Sequence, residues 1–118
     1  MGGRTSFLAS LVLPIKCGVS YYGGGIAPNQ MNKGLLERTA EVKCPLLLFW
    51  GGLDKHILPE HYQAVEARLK ENDKDYVQVV FSKADHGFNC DARPSYNPVA
   101  AKEAQALTLE FLAEHLLT

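Results

Sequence analysis

Two short stretches carry the residue types from which acid–base chemistry is built: "GGLDKHI", residues 51 to 57, with Asp54, and "SKADHGF", residues 82 to 88, with His86. A carboxylate that holds one ring nitrogen of an imidazole fixes its tautomer. The other nitrogen is then left to take a proton from a nucleophile. Each residue alone has an ordinary explanation. Asp54 shortly precedes a proline-started helix and is of a type that closes turns and caps helices; His86 is of a type common on surface loops. Spacing alone leaves these explanations open; what the pair adds is that each residue follows closely on a segment that reads as a strand. Asp85 is adjacent to His86, where side chains usually diverge, and is the poorer partner.

The strands in question are "CPLLLFW", residues 44 to 50, and "YVQVVF", residues 76 to 81. The first is apolar without alternation, as a central parallel strand covered on both faces requires. A third strand is read in "KCGVSYY", residues 16 to 22, ending in three glycines. Helices are expected over 5 to 13, with Phe7, Leu8, Leu11 and Val12 at helical spacing before Pro14, and from Pro59, with Tyr62, Val65 and Leu69 on one stripe. The last helix starts near Pro98 and sets Ala100, Ala104, Leu107 and Phe111 on one face. The stretch from Gly23 to Glu41 is turn chemistry throughout and reads as a long loop.

This order predicts an α/β fold, a sheet of parallel strands with helices on both faces. In such sheets ligands bind beyond the carboxyl ends of the strands, the rim on which Asp54 and His86 fall. Tyr22 and Trp50 end strands on that rim. They read as core or wall aromatics and are candidate substrate-binding residues of that rim. The chain opens on a helix with no strand before it, which would leave a sheet edge and a helix face open to water. The expectation is therefore a single truncated domain over residues 1 to 118, the C-terminal part of a larger fold.

Other constellations are bland. His56 and His61 stand five apart around Pro59, not at the i, i+4 spacing of a helical metal pair, and no cysteine or carboxylate completes a set, so they read as solvated and no metal is expected. His115 suits the C-terminal end of a helix dipole. Gly23 to Gly25 are not followed by the lysine–serine or lysine–threonine pair of a phosphate loop. Cys17, Cys44 and Cys90 form no C-x-x-C pair, and reduced thiols of a cytoplasmic protein are expected. Lys and Arg number 12 against 13 Asp and Glu, which argues against nucleic acid or an anionic membrane as partner. The apolar run from Phe7 to Leu13 is short for a signal peptide and reads as a core helix.

Taken together, "MGGRTSFLAS", "VSYYGGGI", "CPLLLFWGGLDKHILP" and "FSKADHGFNCDARPSYNPVAAKEAQALTLEFL" resemble the C-terminal half of the dienelactone hydrolase family of α/β-hydrolases, over nearly the whole chain. The resemblance implies a cysteine nucleophile on a turn of the form G-x-C-x-G-G, and the chain order nucleophile, Asp, His. Residue by residue, Asp54 matches the acid and His86 the base. Gly2 and Gly3 match the glycines after the nucleophile, and Met1 the residue directly following it. The nucleophile, cysteine or serine, is then expected just upstream of Met1. Ser6 and Ser10 lie inside the first helix, Cys17 begins a strand at the remote end, and the family places no nucleophile at Cys90. The family grips a substrate carboxylate with an arginine at the place Cys90 occupies; Arg93, three further on, is either its substitute or an ordinary loop arginine.

What the resemblance implies is a hydrolase that cleaves a small-molecule ester or lactone by acyl transfer, without cofactor. The alternative is a non-catalytic fragment or interaction module, one that needs a partner half or forms a homodimer through its exposed sheet edge.

Overall fold

The computed structural model describes residues 1 to 31 and 33 to 117; position 32, in the loop after Gly23, and Thr118 lie outside the described residues. The chain runs α1 (Gly2–Val12), β1 (Gly18–Tyr21), a 3-10 turn (Leu36–Glu41), β2 (Leu46–Gly51), α2 (Pro59–Glu71), β3 (Tyr76–Phe81) and α3 (Pro98–Leu116). The three strands form one sheet in the order β1-β2-β3, parallel throughout, with Gly18 opposite Leu46 and Leu46 opposite Tyr76.

β2 sits in the middle because it alone is apolar on both faces. All six of its residues are buried, and Leu48 and Phe49 are fully so. Leu46, Leu48 and Trp50 point to a core shared with Phe7 and Leu11 of α1 and Tyr62, Val65 and Leu69 of α2. Leu47 and Phe49 point to the opposite face, against Phe88 and against Ala100, Ala104 and Phe111 of α3. The strand alternation thus divides one apolar run between two helix layers. β3 is half-exposed, with Val77 and Val80 at 48% and 41%, as befits an outer strand. Among the described residues, the outer edges of both β1 and β3 carry no partner strand.

The helices end where local chemistry stops them. Leu13 is extended before Pro14. Pro59 opens α2, where the His61 ring nitrogen Nδ1 accepts from the Leu58 amide at 2.9 Å. The Asn97 side chain caps α3 by accepting from the Ala100 amide at 3.1 Å. The long loop is less irregular than its composition implies: Leu36–Glu41 closes into a 3-10 turn that tucks Thr39 and Val42 into the core. In α3, Leu107 is 38% exposed, contrary to the expected face, and Ala101 is buried beside Ala100 and Ala104 instead. The helix approaches the sheet on small residues, and Thr108 bonds the Tyr21 hydroxyl at 2.9 Å on that face. Among the described residues no helix is long and apolar enough to cross a membrane.

Candidate active site

Asp54 and His86 leave the sheet from the neighbouring strands β2 and β3 at the same rim, and they meet. His86 Nδ1 lies 2.7 Å from Asp54 Oδ2. The approach of the two loops depends on Gly51, the last residue of β2. A Cβ there would stand 2.6 Å from the Ala84 carbonyl oxygen and 3.0 Å from that of Asp85, so no side chain fits between strand and loop. The backbone then locks the gap: the Gly52 amide donates to Phe81 O at 2.8 Å and the Leu53 amide to Ala84 O at 2.9 Å.

The Asp54 carboxylate is divided between two tasks. Oδ1 accepts the amides of His56 and Ile57 at 2.8 and 2.9 Å, closing its own turn, and Oδ2 takes His86. The ordinary turn role and the histidine contact therefore coexist in one side chain. Its side chain is 1% exposed against 24% for His86. Burial pushes the Asp54 carboxyl up, but the hydrogen bonds from His86, Ile57 and His56 outweigh it and hold the group below its ordinary value. The carboxylate is thus ionised at neutral pH and acts as an acceptor only. That keeps a proton on Nδ1 of the neutral ring and leaves Nε2 as the basic nitrogen. Asp85 is diverted: its Oδ1 accepts the His86 amide at 2.6 Å.

After His86 the chain turns at Gly87, whose φ of +77° places it in the region that favours glycine; the Arg93 guanidinium packs where a Cβ would be. Successive turns, Cys90 amide to Gly87 O and Arg93 amide to Cys90 O, curl the segment back so that the Asn97 amide reaches Phe88 O at 2.9 Å. Arg93 consequently joins His86, His56, Asp85, Pro94 and Ser95 around a cleft of about 360 Å³. Tyr22 lies on the other flank of the imidazole, ring centroids 5.0 Å apart.

Trp50 is not at this site. Its indole is 1% exposed and stacks on Tyr62 at 5.8 Å in the α2-side core, so the expectation that it contacts substrate is corrected: its side chain supports the strand from below. His56 is exposed, in keeping with the solvated reading, and stands edge-on to His86 with ring centroids 6.1 Å apart. Its amide is also one of the two that bind Asp54. The signal was the spacing itself, since an aspartate commonly accepts the amide two residues on. Cys90 is exposed and opens onto a different groove, shared with Tyr22 and α3.

Residues 1–116 match the sequence profile described as "Dienelactone hydrolase family". A protein of Yersinia pestis named "Putative carboxymethylenebutenolidase" is 28% identical over 117 residues, which is 97% of this chain and 44% of that protein. A Bradyrhizobium protein named "Probable 2-oxo-3-(5-oxofuran-2-ylidene)propanoate lactonase" is 29% identical over 119 residues, 98% of this chain and 48% of its own length. The solved structure of a "Putative Dienelactone Hydrolase" from Klebsiella pneumoniae superposes with a TM-score of 0.86 at 26% identity, covering 94% of this chain and 48% of that one. The chain therefore spans less than half the length of these relatives. A match that runs from residue 1 to residue 116 leaves almost nothing of the sequence outside it, and the chain belongs to the dienelactone hydrolase family of α/β-hydrolases.

Proposed function

We propose that the Asp54–His86 pair is the acid–base half of a hydrolase that cleaves a small-molecule ester or lactone by acyl transfer through an enzyme nucleophile. The observation that carries this is the 2.7 Å contact between the imidazole and a buried carboxylate that is itself fixed by two amides. In this reading His86 Nε2 removes the proton of a thiol or hydroxyl as that group attacks the substrate carbonyl. The tetrahedral oxyanion collapses, the C–O bond to the leaving alkoxide breaks, and Nε2 returns the proton to that oxygen. Water repeats the sequence on the acyl-enzyme, its proton passing through the same nitrogen. Asp54 keeps the ring in the productive tautomer and stabilises the imidazolium. The names of the Yersinia and Bradyrhizobium relatives favour a lactone among esters.

The nucleophile belongs, by the family pattern, directly before Met1. Support comes from α1: its first turn packs so closely that a Cβ on Gly3 would meet Tyr21 O at 2.5 Å, and Met1, Gly2 and Gly3 share a crevice of about 340 Å³ with Tyr21 and Tyr22. Tyr22 in turn lies on the imidazole. Within α1 itself, Ser10 is buried with its hydroxyl donated to Phe7 O, which removes it as a nucleophile. Arg93 would face an anionic group of the substrate across the cleft it shares with His86. Residues 1–118 would then act as one unit of a larger hydrolase domain.

The test is hydrolysis of an aryl ester and a simple γ-lactone by the protein translated with the residues that precede Met1 in its reading frame. His86→Gln should lower the rate by about a thousandfold or more. Equal rates in the variant and the parent would overturn the proposal.

A second reading, association through the sheet edge, is favoured by two observations. The chain exposes 7037 Å², against about 6,300 Å² for a compact monomer of its 13.0 kDa, and β1 has no outer partner among the described residues. A sedimentation measurement giving only monomer at high concentration would remove the homodimer.

A further inference from the structure

The backbone at Tyr22 departs from what a strand end needs. Its φ is +38°, and only Asp73, in the turn after α2, shares a positive φ among the described non-glycine residues. Aspartate adopts that conformation readily; a tyrosine is disfavoured there because its Cβ crowds the following carbonyl. Yet the Tyr22 amide still donates to Phe49 O at 2.8 Å, continuing the pairing with β2 for one residue beyond β1. The distortion is therefore not a frayed end.

Its consequence is visible in the side chains. In β1 the residues alternate: Val19 and Tyr21 pack toward α3, while the Ser20 hydroxyl turns the other way and donates to Gly3 O at 3.1 Å. Regular alternation would send the next side chain with Ser20, toward α1. The left-handed residue breaks that alternation: Tyr22 packs against both cores, the α1 side and the α3 side. Tyr21 and Tyr22 thus meet each other edge to face at 6.0 Å, and both rings reach Phe88, at 6.2 and 5.1 Å. The Tyr22 ring thereby comes to lie 5.0 Å from His86, with 54° between the planes. The imidazole is left with Asp54 at Nδ1, Tyr22 against the ring and the His56 ring at its edge.

We propose that Tyr22 is a positioning residue for His86: the left-handed turn at the end of β1 exists to swing this aromatic ring onto the imidazole, fixing the ring plane while Asp54 fixes the tautomer. This deepens the hydrolase reading and rests on it for its purpose, because a base must hold one direction toward the nucleophile. It also gives α1 a mechanical link to the histidine loop, since Gly3 packs on Tyr21 O and Gly23, the residues on either side of Tyr22.

The test is proton and nitrogen NMR of His86 in the 118-residue chain. Nuclear Overhauser contacts between the Tyr22 ring protons and the His86 ring are expected in the parent; their absence would overturn the proposal without any variant. Tyr22→Phe keeps the ring and should leave the His86 nitrogen shifts unchanged. Tyr22→Gly removes the ring and suits the backbone conformation. It should move those shifts toward free histidine and exchange the Nδ1 proton roughly fivefold faster, in proportion to the loss of one aromatic contact. The amide shifts of Leu46–Gly51 report whether the sheet is intact. A glycine variant with an intact sheet and parental His86 signals would refute the assignment. None of these readouts needs turnover, so a protein that fails to hydrolyse esters while Tyr22→Gly still disturbs His86 would sink the hydrolase reading and leave this one standing.

Discussion

Asp54 serves His86 with one carboxylate oxygen, at 2.7 Å, and its own turn with the other, which accepts the amides of His56 and Ile57 at 2.8 and 2.9 Å. The two tasks are separable by substitution. Asp54→Asn keeps an oxygen for the turn but sets an amide N–H against His86 Nδ1, which drives the ring to the wrong tautomer. The expected result is a loss of about ten-thousandfold in ester hydrolysis with a stability cost of about 1 kcal/mol. Asp54→Ala also strands both turn amides and should cost about 2 to 4 kcal/mol in urea unfolding, because an unpaired buried donor forfeits its full desolvation energy. An alanine variant as stable as the asparagine one would deny the turn role.

The same bonds give stability a pH dependence with a definite sign. Burial raises the Asp54 carboxyl, the hydrogen bonds from His86, Ile57 and His56 lower it by more, and the folded group is more acidic than in the unfolded chain. As pH falls, the unfolded state takes up the proton first. The contribution is whole above the unfolded value, about 3.9, and is lost as pH drops through the folded one. The melting temperature of the parent should therefore converge on that of Asp54→Asn as pH falls from about 5 through the unfolded value and below it. Melting curves that keep a constant separation over that range would contradict the assignment.

What could be read in the sequence was whatever periodicity and strand-end logic determine. β2 was legible because its run is apolar at every position, α2 because Tyr62, Val65 and Leu69 mark a helical stripe that a proline opens, and β3 because YVQVVF is a short run rich in β-branched and aromatic residues. The rim bearing Asp54 and His86 followed from parallel topology. Features set by packing were hidden. The 3-10 turn at Leu36–Glu41 forms because Thr39 and Val42 have a core to enter, and turn-rich composition says nothing of that core. Leu107 lost its expected place to Ala101 because α3 meets the sheet at close range, where small residues fit. Trp50 sits on the strand parity that faces α2, which the rim argument ignored. The left-handed Tyr22 could not be inferred, since the neighbouring glycines read as the whole of the turn.

Gly51 offers a way to separate the two loops without touching either candidate residue. A methyl group at this position would sit 2.6 Å from Ala84 O and 3.0 Å from Asp85 O, and relief requires the histidine loop to lift from β2. Gly51→Ala should destabilise by about 1 to 3 kcal/mol, the usual cost of overpacking. It should also lower hydrolysis further than the unfolded fraction accounts for, because a shift of about 1 Å in a catalytic group costs on the order of a hundredfold. Full activity per folded molecule would show that the two loops do not depend on this contact.

The strain at Tyr22 has its own thermodynamic signature, independent of any effect on His86. Two variants that both lack the ring, Tyr22→Ala and Tyr22→Gly, differ only in a Cβ and in backbone freedom. At an ordinary strand position alanine is the more stable of the two, because glycine gives the unfolded chain about 0.4 to 1 kcal/mol of extra entropy. At a φ of +38° the order should reverse. Alanine would retain a steric penalty of about 1 to 2 kcal/mol that glycine escapes, and that exceeds the entropic term. Denaturant unfolding of the pair measures the difference directly. Glycine ahead of alanine means the chain holds this residue left-handed against its preference, and alanine ahead means the turn at the end of β1 relaxes once the ring is gone.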